Sequence, residues 1–258
     1  MLRFALFLTF AFIVSPTSAD EIRILSIGDS ISASNINRTT LRQRLITAGI
    51  AHDFVGDNVV PIGDDDINHQ AFGGKTFYHN LNGTDVAQDD GTVVRQAGLT
   101  EVLELYAPDV IIVVSGYNNL VRETVGGGLS ETRDQYTALV DFISAESDAH
   151  TFFANITDFH PDRRWAGVRQ NVFDWNQWLA EDIAARQAEG QLITLVDNFS
   201  NVSHDDLRDD GLHLLRSGQE KVGDNLFSAI AASSVPEPSS AVLLFGLLLA
   251  NAGFRRRI

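Results

Sequence analysis

Val110-Ile111-Ile112-Val113-Val114 is an unbroken run of β-branched apolar residues, with Pro108 just before it and Gly116-Tyr117-Asn118-Asn119 just after. A strand with one wet face alternates apolar and polar side chains. A run with no polar position fits a strand covered on both faces, as in a parallel sheet. Working outward, Glu21 to Ile27, His52 to Val55, Thr151 to Asn155 and Leu192 to Val196 read as further short strands. Between them lie helical periods. Thr39 to Ala48 places Leu41, Leu45 and Ala48 on one face, with Gly49 as its stop. Val94 to Tyr106 reads as a helix, and Ser130 is positioned to cap another that runs to about Glu146. Trp165 to Ala188 is the longest, with Val168, Val172, Trp175, Leu179 and Ile183 at three- and four-residue steps, and Ser217 to Ala231 closes the domain. Alternation of this kind predicts right-handed βαβ crossovers: an α/β three-layer sandwich, a central parallel sheet with helices on both faces. The stretch from Gly56 to Gly91, rich in Asp, Asn and Gly, reads as one long loop.

Ligands of such sheets bind beyond the carboxyl ends of the strands. Gly28-Asp29-Ser30 closes the first strand, and Asp210-Gly211-Leu212-His213 lies near the far end of the domain. A serine hydroxyl is a weak nucleophile unless a base lies within hydrogen-bond reach and a third group orients that base. Ser30, His213 and Asp210 supply those three parts, which points to acyl transfer and most simply to ester hydrolysis. Each also has a plainer reading: Ser30 as a helix cap, Asn118 as a turn residue, His213 as a surface histidine, and Asp210 as part of a solvated acidic loop from Ser203.

Four pieces in order, Gly28-Asp29-Ser30-Ile31, Gly73-Gly74, Gly116-Tyr117-Asn118-Asn119 and Asp210-Gly211-Leu212-His213, resemble the SGNH (GDSL-like) hydrolase family across nearly the whole domain. The resemblance implies a flavodoxin-like SGNH fold, with Ser30 as nucleophile and Asp210 and His213 completing the triad. It also implies an oxyanion hole from Ser30, Gly74 and Asn118, and no metal or cofactor. Asn119 stands where the family often has Asp, and Leu214 where it often has Pro.

The ends carry addresses. Arg3, the apolar run Phe4 to Val14 and Thr17-Ser18-Ala19 read as a signal peptide over residues 1–19. The hydrolase domain is then 20–232. Residues 233–258 contain Val235-Pro236-Glu237-Pro238, an apolar segment and Arg255-Arg256-Arg257. That order resembles a PEP-CTERM sorting signal, which implies an exosortase-type processing enzyme, a Gram-negative source and only transient membrane contact through this segment. An ordinary C-terminal anchor is the plainer alternative. Both place the domain outside the inner membrane: periplasm, cell surface or extracellular matrix.

The net charge of −15 repels nucleic acid and anionic lipid, and disfavours anionic substrates unless a local patch compensates. The absence of cysteine excludes disulfides, thiolate metal sites and cysteine nucleophiles. Asp64-Asp65-Asp66 and Asp89-Asp90 lack the alternate spacing of an EF-hand loop, and His69, His79 and His160 form no zinc pattern on one helix. His160 and Arg163-Arg164 read as surface loop, Trp175 as core, and Trp165 and Trp178 as partly buried. The leading expectation is an exported serine esterase acting on short acyl or acetyl esters, with acylated extracellular polysaccharide as the substrate suggested by the sorting tail. The alternatives are a lipase or thioesterase of the same type, and a non-catalytic carbohydrate-binding surface protein on a degenerate hydrolase scaffold.

Overall fold

The computed structural model describes residues 21–58, 61–62, 65–87, 92–123 and 129–234. The expected signal peptide, most of the sorting segment, Gly126-Gly127-Gly128, Asp64 and Asp89-Asp90 lie outside them.

The chain runs β1 (Ile22–Gly28), α1 (Asn35–Thr47), β2 (His52–Val55), β3 (Pro61–Ile62), β4 (Asp65–Asp66), β5 (Gln70–Ala71), α2 (Phe77–Asn82), β6 (Thr84–Ala87), β7 (Val93–Gln96) and α3 (Leu99–Tyr106). It continues with β8 (Val110–Val114), α4 (Tyr117–Glu123), α5 (Leu129–Glu146), β9 (His150–Ala154), α6 (Arg169–Ala188), β10 (Ile193–Val196) and α7 (Arg216–Ser234). The central sheet has the order β10-β9-β8-β1-β2, every pair parallel. The order reverses between β1 and β8, the switch point where doubly wound sheets open a crevice.

Every residue of β8 is buried, which is what its unbroken apolar run requires. One helical layer pairs α1 with α7. The other joins α2, α3, α5 and α6, where Phe77, Tyr136 and Trp175 meet edge-on or tilted with centroids 5.6–6.1 Å apart. Val168, Val172, Trp175, Leu179 and Ile183 are all buried, so the periodic stripe is the inner face of α6 and the turn before it. Trp165 and Trp178 pack partly buried on the core.

Several boundaries differ from the sequence reading. Helix α1 starts at Asn35, four residues early, because in the loop before it the buried Asn37 bonds back to the Ile31 carbonyl and the buried Arg38 to the Ser32 carbonyl. The helix expected from Val94 is a strand to Gln96, followed by a helix from Leu99. Its β-branched valines pair with Val86 and Ala87 instead, and Gly98 begins the helix as its cap. The stretch 56–91 is not one loop: its described residues carry β3 to β6 and α2. Ser130 lies inside α5, so it is not the cap. The first turn after Trp165 is 3-10, and the α-helix begins at Arg169.

Candidate active site

Three neighbouring strand ends build the site. Gly28, the last residue of β1, sits between Val114 of β8 and Ala71 of β5. A Cβ there would lie 2.1 Å from the Val114 carbonyl oxygen, and φ is +149°, so only glycine fits. Phe72 N–H donates to the Gly28 carbonyl at 3.1 Å, and Asp29 N–H donates to the Val114 carbonyl at 3.3 Å. Ser30, Gly74 and Asn118 therefore follow adjacent strand ends within a few residues.

The serine loop is tied down by buried polar groups. Asn37 donates to the Ile31 carbonyl at 3.0 Å, the hydroxyls of Ser26 and Ser32 lie 3.1 Å apart, and Arg38 donates to the Ser32 carbonyl. Burial lowers the Arg38 pKa to about 10. Asp29 is fully buried. Its Oδ1 accepts the Ile31 N–H at 3.0 Å, while Oδ2 has no hydrogen-bond partner among the described residues. Burial raises its pKa to about 7, against the pull of the N–H groups of Ile31, Tyr117 and Asn118.

His213 reaches Ser30 from the other side. Ser30 Oγ and His213 Nε2 are 2.9 Å apart, and His213 Nδ1 and Asp210 Oδ2 are 2.7 Å apart. Asp210 Oδ1 also accepts the N–H of Leu212 at 3.0 Å and of His213 at 2.9 Å. Burial tends to raise the Asp210 pKa, but these donors and the imidazole outweigh it and hold it below its usual value. An ionised carboxylate only accepts, so Nδ1 carries the proton and Nε2 is left to accept from the Ser30 hydroxyl.

The loop bearing His213 is braced at its base. Leu207 and Leu214 pair as a bridge, and Arg208 N–H donates to the His213 carbonyl at 2.7 Å. Asp206 is buried, which corrects the reading of 203–210 as a solvated loop. It accepts the Ser203 N–H at 2.9 Å, the Ser217 hydroxyl at 2.7 Å and the Lys221 ammonium at 2.6 Å. Burial works against its ionisation, yet Lys221 and the other donors hold its pKa far below the carboxylate range. The Ser203-x-x-Asp206 spacing of a capping box was the available signal. A second brace had no such signal: Asp158 accepts from Arg169 Nε at 2.9 Å and lies 2.9 Å from His204 Nε2. His160, read as plain surface loop, donates its N–H to the Gly211 carbonyl at 3.0 Å.

Asn118 and Gly74 stand on the β8 and β5 side. Asn118 Nδ2 donates to the Lys75 carbonyl at 3.0 Å, which uses one of its two amide hydrogens. Gly74 occupies a turn at φ +75°, and an added Cβ would meet only Arg122 Nη2 at 4.0 Å; conformation, not crowding, selects glycine. The N–H groups of Ser30 and Gly74 have no acceptor among the described residues. Asn119, the departure from the family pattern, is buried and accepts the Phe77 N–H at 3.2 Å while donating to Gln135 at 2.9 Å. Buried Leu214 occupies the other departure.

His69 is buried, and burial, helped by nearby Arg38, drives its pKa down to about 3. Its Nδ1 accepts the Ala71 N–H at 3.0 Å, a structural bond at the β5 strand. Among the described residues no cluster of His, Asp and Glu could hold a metal ion, and no helix is long and apolar enough to cross a membrane.

A family profile, the PEP-CTERM protein-sorting motif, matches residues 234–257. It indicates export, sorting to the cell envelope or surface, and recognition by an exosortase. No curated protein matches the chain. Among solved structures, a carbohydrate esterase family 3 from Talaromyces cellulolyticus superposes with a TM-score of 0.64 at 16% identity, over 82% of this chain and 97% of that one. A family 3 carbohydrate esterase from Clostridium thermocellum gives 0.58 at 21%, over 83% and 96%. A GDSL-like lipase from Bacteroides thetaiotaomicron gives 0.54 at 13%, over 82% and 88%. The chain shares the fold of these SGNH-type esterases: a central parallel sheet flanked by helices.

Proposed function

We propose that this chain is an exported serine esterase of SGNH type that removes short acyl groups, acetyl above all, from carbohydrate. The observation that carries this reading is the relay Ser30 Oγ to His213 Nε2 at 2.9 Å and His213 Nδ1 to Asp210 Oδ2 at 2.7 Å. Ser30 attacks the ester carbonyl while Nε2 takes its proton. The imidazolium, steadied by Asp210, returns that proton to the leaving alcohol, and water then repeats the sequence on the acyl-enzyme. The carbonyl oxygen becomes anionic in each tetrahedral intermediate. The unspent N–H groups of Ser30 and Gly74 and the second amide hydrogen of Asn118 are its donors, each worth about 10²–10³ in rate.

The preference for an acetylated sugar draws on two supports: the shared fold with carbohydrate esterases and the sorting tail, which suits a protein working at the envelope. Residues 1–19 act as the export signal, 20–232 as the catalytic domain, and 233–258 as the segment read by the exosortase. The test is initial-rate hydrolysis of 4-nitrophenyl acetate and butyrate by the protein and by Ser30→Ala. Turnover that falls with acyl length and vanishes in the variant supports the reading. No turnover in either protein removes it and favours a binding protein on the same scaffold; equal turnover in both removes Ser30 as the nucleophile.

A further inference from the structure

One segment touches both halves of the candidate site while supplying none of its catalytic groups: 156–163, which follows β9. Asn176 of α6 fixes its start. Nδ2 donates to the Ile156 carbonyl at 2.7 Å, and Oδ1 accepts the Ile156 N–H at 3.0 Å. Beyond that point alternate side chains face opposite neighbours, as in any extended stretch.

Thr157 and Phe159 face the oxyanion side, and both are fully buried. The Thr157 N–H donates to the Tyr117 hydroxyl at 3.1 Å, and the two hydroxyls lie 3.1 Å apart. The Phe159 ring stacks on the buried Tyr117 ring with centroids 6.1 Å apart. Tyr117 opens α4 and is the residue before Asn118. One face of the segment therefore grips the backbone that presents the Asn118 amide.

Asp158 and His160 face the histidine segment. Asp158 accepts from Nε and Nη2 of Arg169 and lies 2.9 Å from His204 Nε2. Burial opposes its ionisation, but Arg169 and His204 hold its pKa below the usual value. An ionised carboxylate only accepts, so His204 Nε2 carries the proton of that bond. The His160 and His204 rings lie side by side with centroids 5.4 Å apart. Further on, the His160 N–H holds the Gly211 carbonyl at 3.0 Å. A Cβ at Gly211 would lie 2.4 Å from Arg163 Cβ and 3.0 Å from His160 Cβ, so the segment fills the space a side chain would take. His204 and Gly211 thus attach the half-exposed histidine segment to 156–163 at both ends, with Gly211 between Asp210 and His213. The anchor of Asp206 on α7 alone would leave it free to swing about one point.

We infer that segment 156–163 is the spacer of the site: it sets the distance between the Asn118 amide and the His213 imidazole, with Asp158 and His204 as positioning residues. This rests on the esterase reading above and adds two residues that act through His213. A displacement of about 1 Å at a reacting group costs up to about 10²-fold in rate, so the spacer bears directly on turnover.

The test measures kcat and KM on 4-nitrophenyl acetate for His204→Ala and His204→Gln, with His204→Ala made again in a His213→Ala background. His204→Ala should lower kcat about tenfold with KM unchanged. His204→Gln keeps an N–H donor at similar reach to Asp158 and should recover most of the loss. In the His213→Ala background His204→Ala should cost nothing further, since the group it positions is gone. An equal fall in both backgrounds marks general damage to the fold and overturns the inference. So does a kcat for His204→Ala within about twofold of the parent, and in that case parent turnover that vanishes in Ser30→Ala leaves the esterase reading standing. Should the parent turn nothing over, the esterase reading falls on that result and amide exchange decides the spacer. Loss of protection across 207–214 in His204→Ala supports it; unchanged protection overturns it.

Discussion

The two segments that meet at the site are held in opposite ways. The serine segment is locked from inside: Gly28 is wedged against the β8 backbone, Asp29 is fully buried, and Asn37 and Arg38 fasten the loop through the Ile31 and Ser32 carbonyls. The histidine segment lies at the surface, with the His213 and Asp210 side chains 40% and 43% exposed, and polar bonds hold it. Packing fixes one partner of the relay and charge fixes the other. The serine side should therefore answer to steric change, and the histidine side to charge and pH.

The sharpest way to separate chemistry from scaffold is His213→Ala. It should lower kcat on 4-nitrophenyl acetate by about 10⁴-fold or more with little change in melting temperature, because an exposed side chain is removed. A large loss of stability would mean that the histidine segment is also structural. On the serine side, Gly28→Ala should cost about 4 kcal/mol or prevent folding, since backbone must move to admit the methyl group. Chemical denaturation of the variant measures this; a cost under 1 kcal/mol would break the contrast.

Asp206→Ala should cost about 3 kcal/mol by leaving Lys221, Ser203 and Ser217 without their acceptor. Because its folded pKa is depressed, the stability Asp206 contributes is present above its ordinary value and is lost as pH falls below it. Asp29 has the opposite sign. Its pKa is raised from 3.8 to about 7, so its contribution is full below pH 4 and is lost as pH rises toward 7. Denaturation midpoints of Asp29→Asn should lack that decline between pH 4 and 7; an unchanged pH profile would contradict the assignment. The smallest effect concerns Asp210. Its lowered pKa keeps it ionised as pH falls toward 4, so the acid limb of kcat/KM should follow a single proton. A two-proton limb would contradict the lowered pKa of Asp210.

The sheet was legible because burial on both faces leaves a mark on composition. Val110–Val114 fits a strand covered on both faces, and the spacing of Val172, Trp175, Leu179 and Ile183 fits an inner helical face, as the structure has them. The valines before Gly98 were misread because three residues of strand followed by a helix mimic a longer helical period, and the hairpin partner is not visible locally. Ser30, Asp210 and His213 were found by motif and not by pattern, since nothing local shows that residues 183 apart lie 2.9 Å from one another. Asp206 looked like a solvated acid because its partner Lys221 lies 15 positions away.

Labelling with a fluorophosphonate, read by intact mass and peptide mapping, tests the central claim most directly. One adduct per chain on Ser30, slowed greatly in His213→Ala and absent in Ser30→Ala, is the predicted result. An unlabelled protein, or an adduct on any other residue, would contradict it.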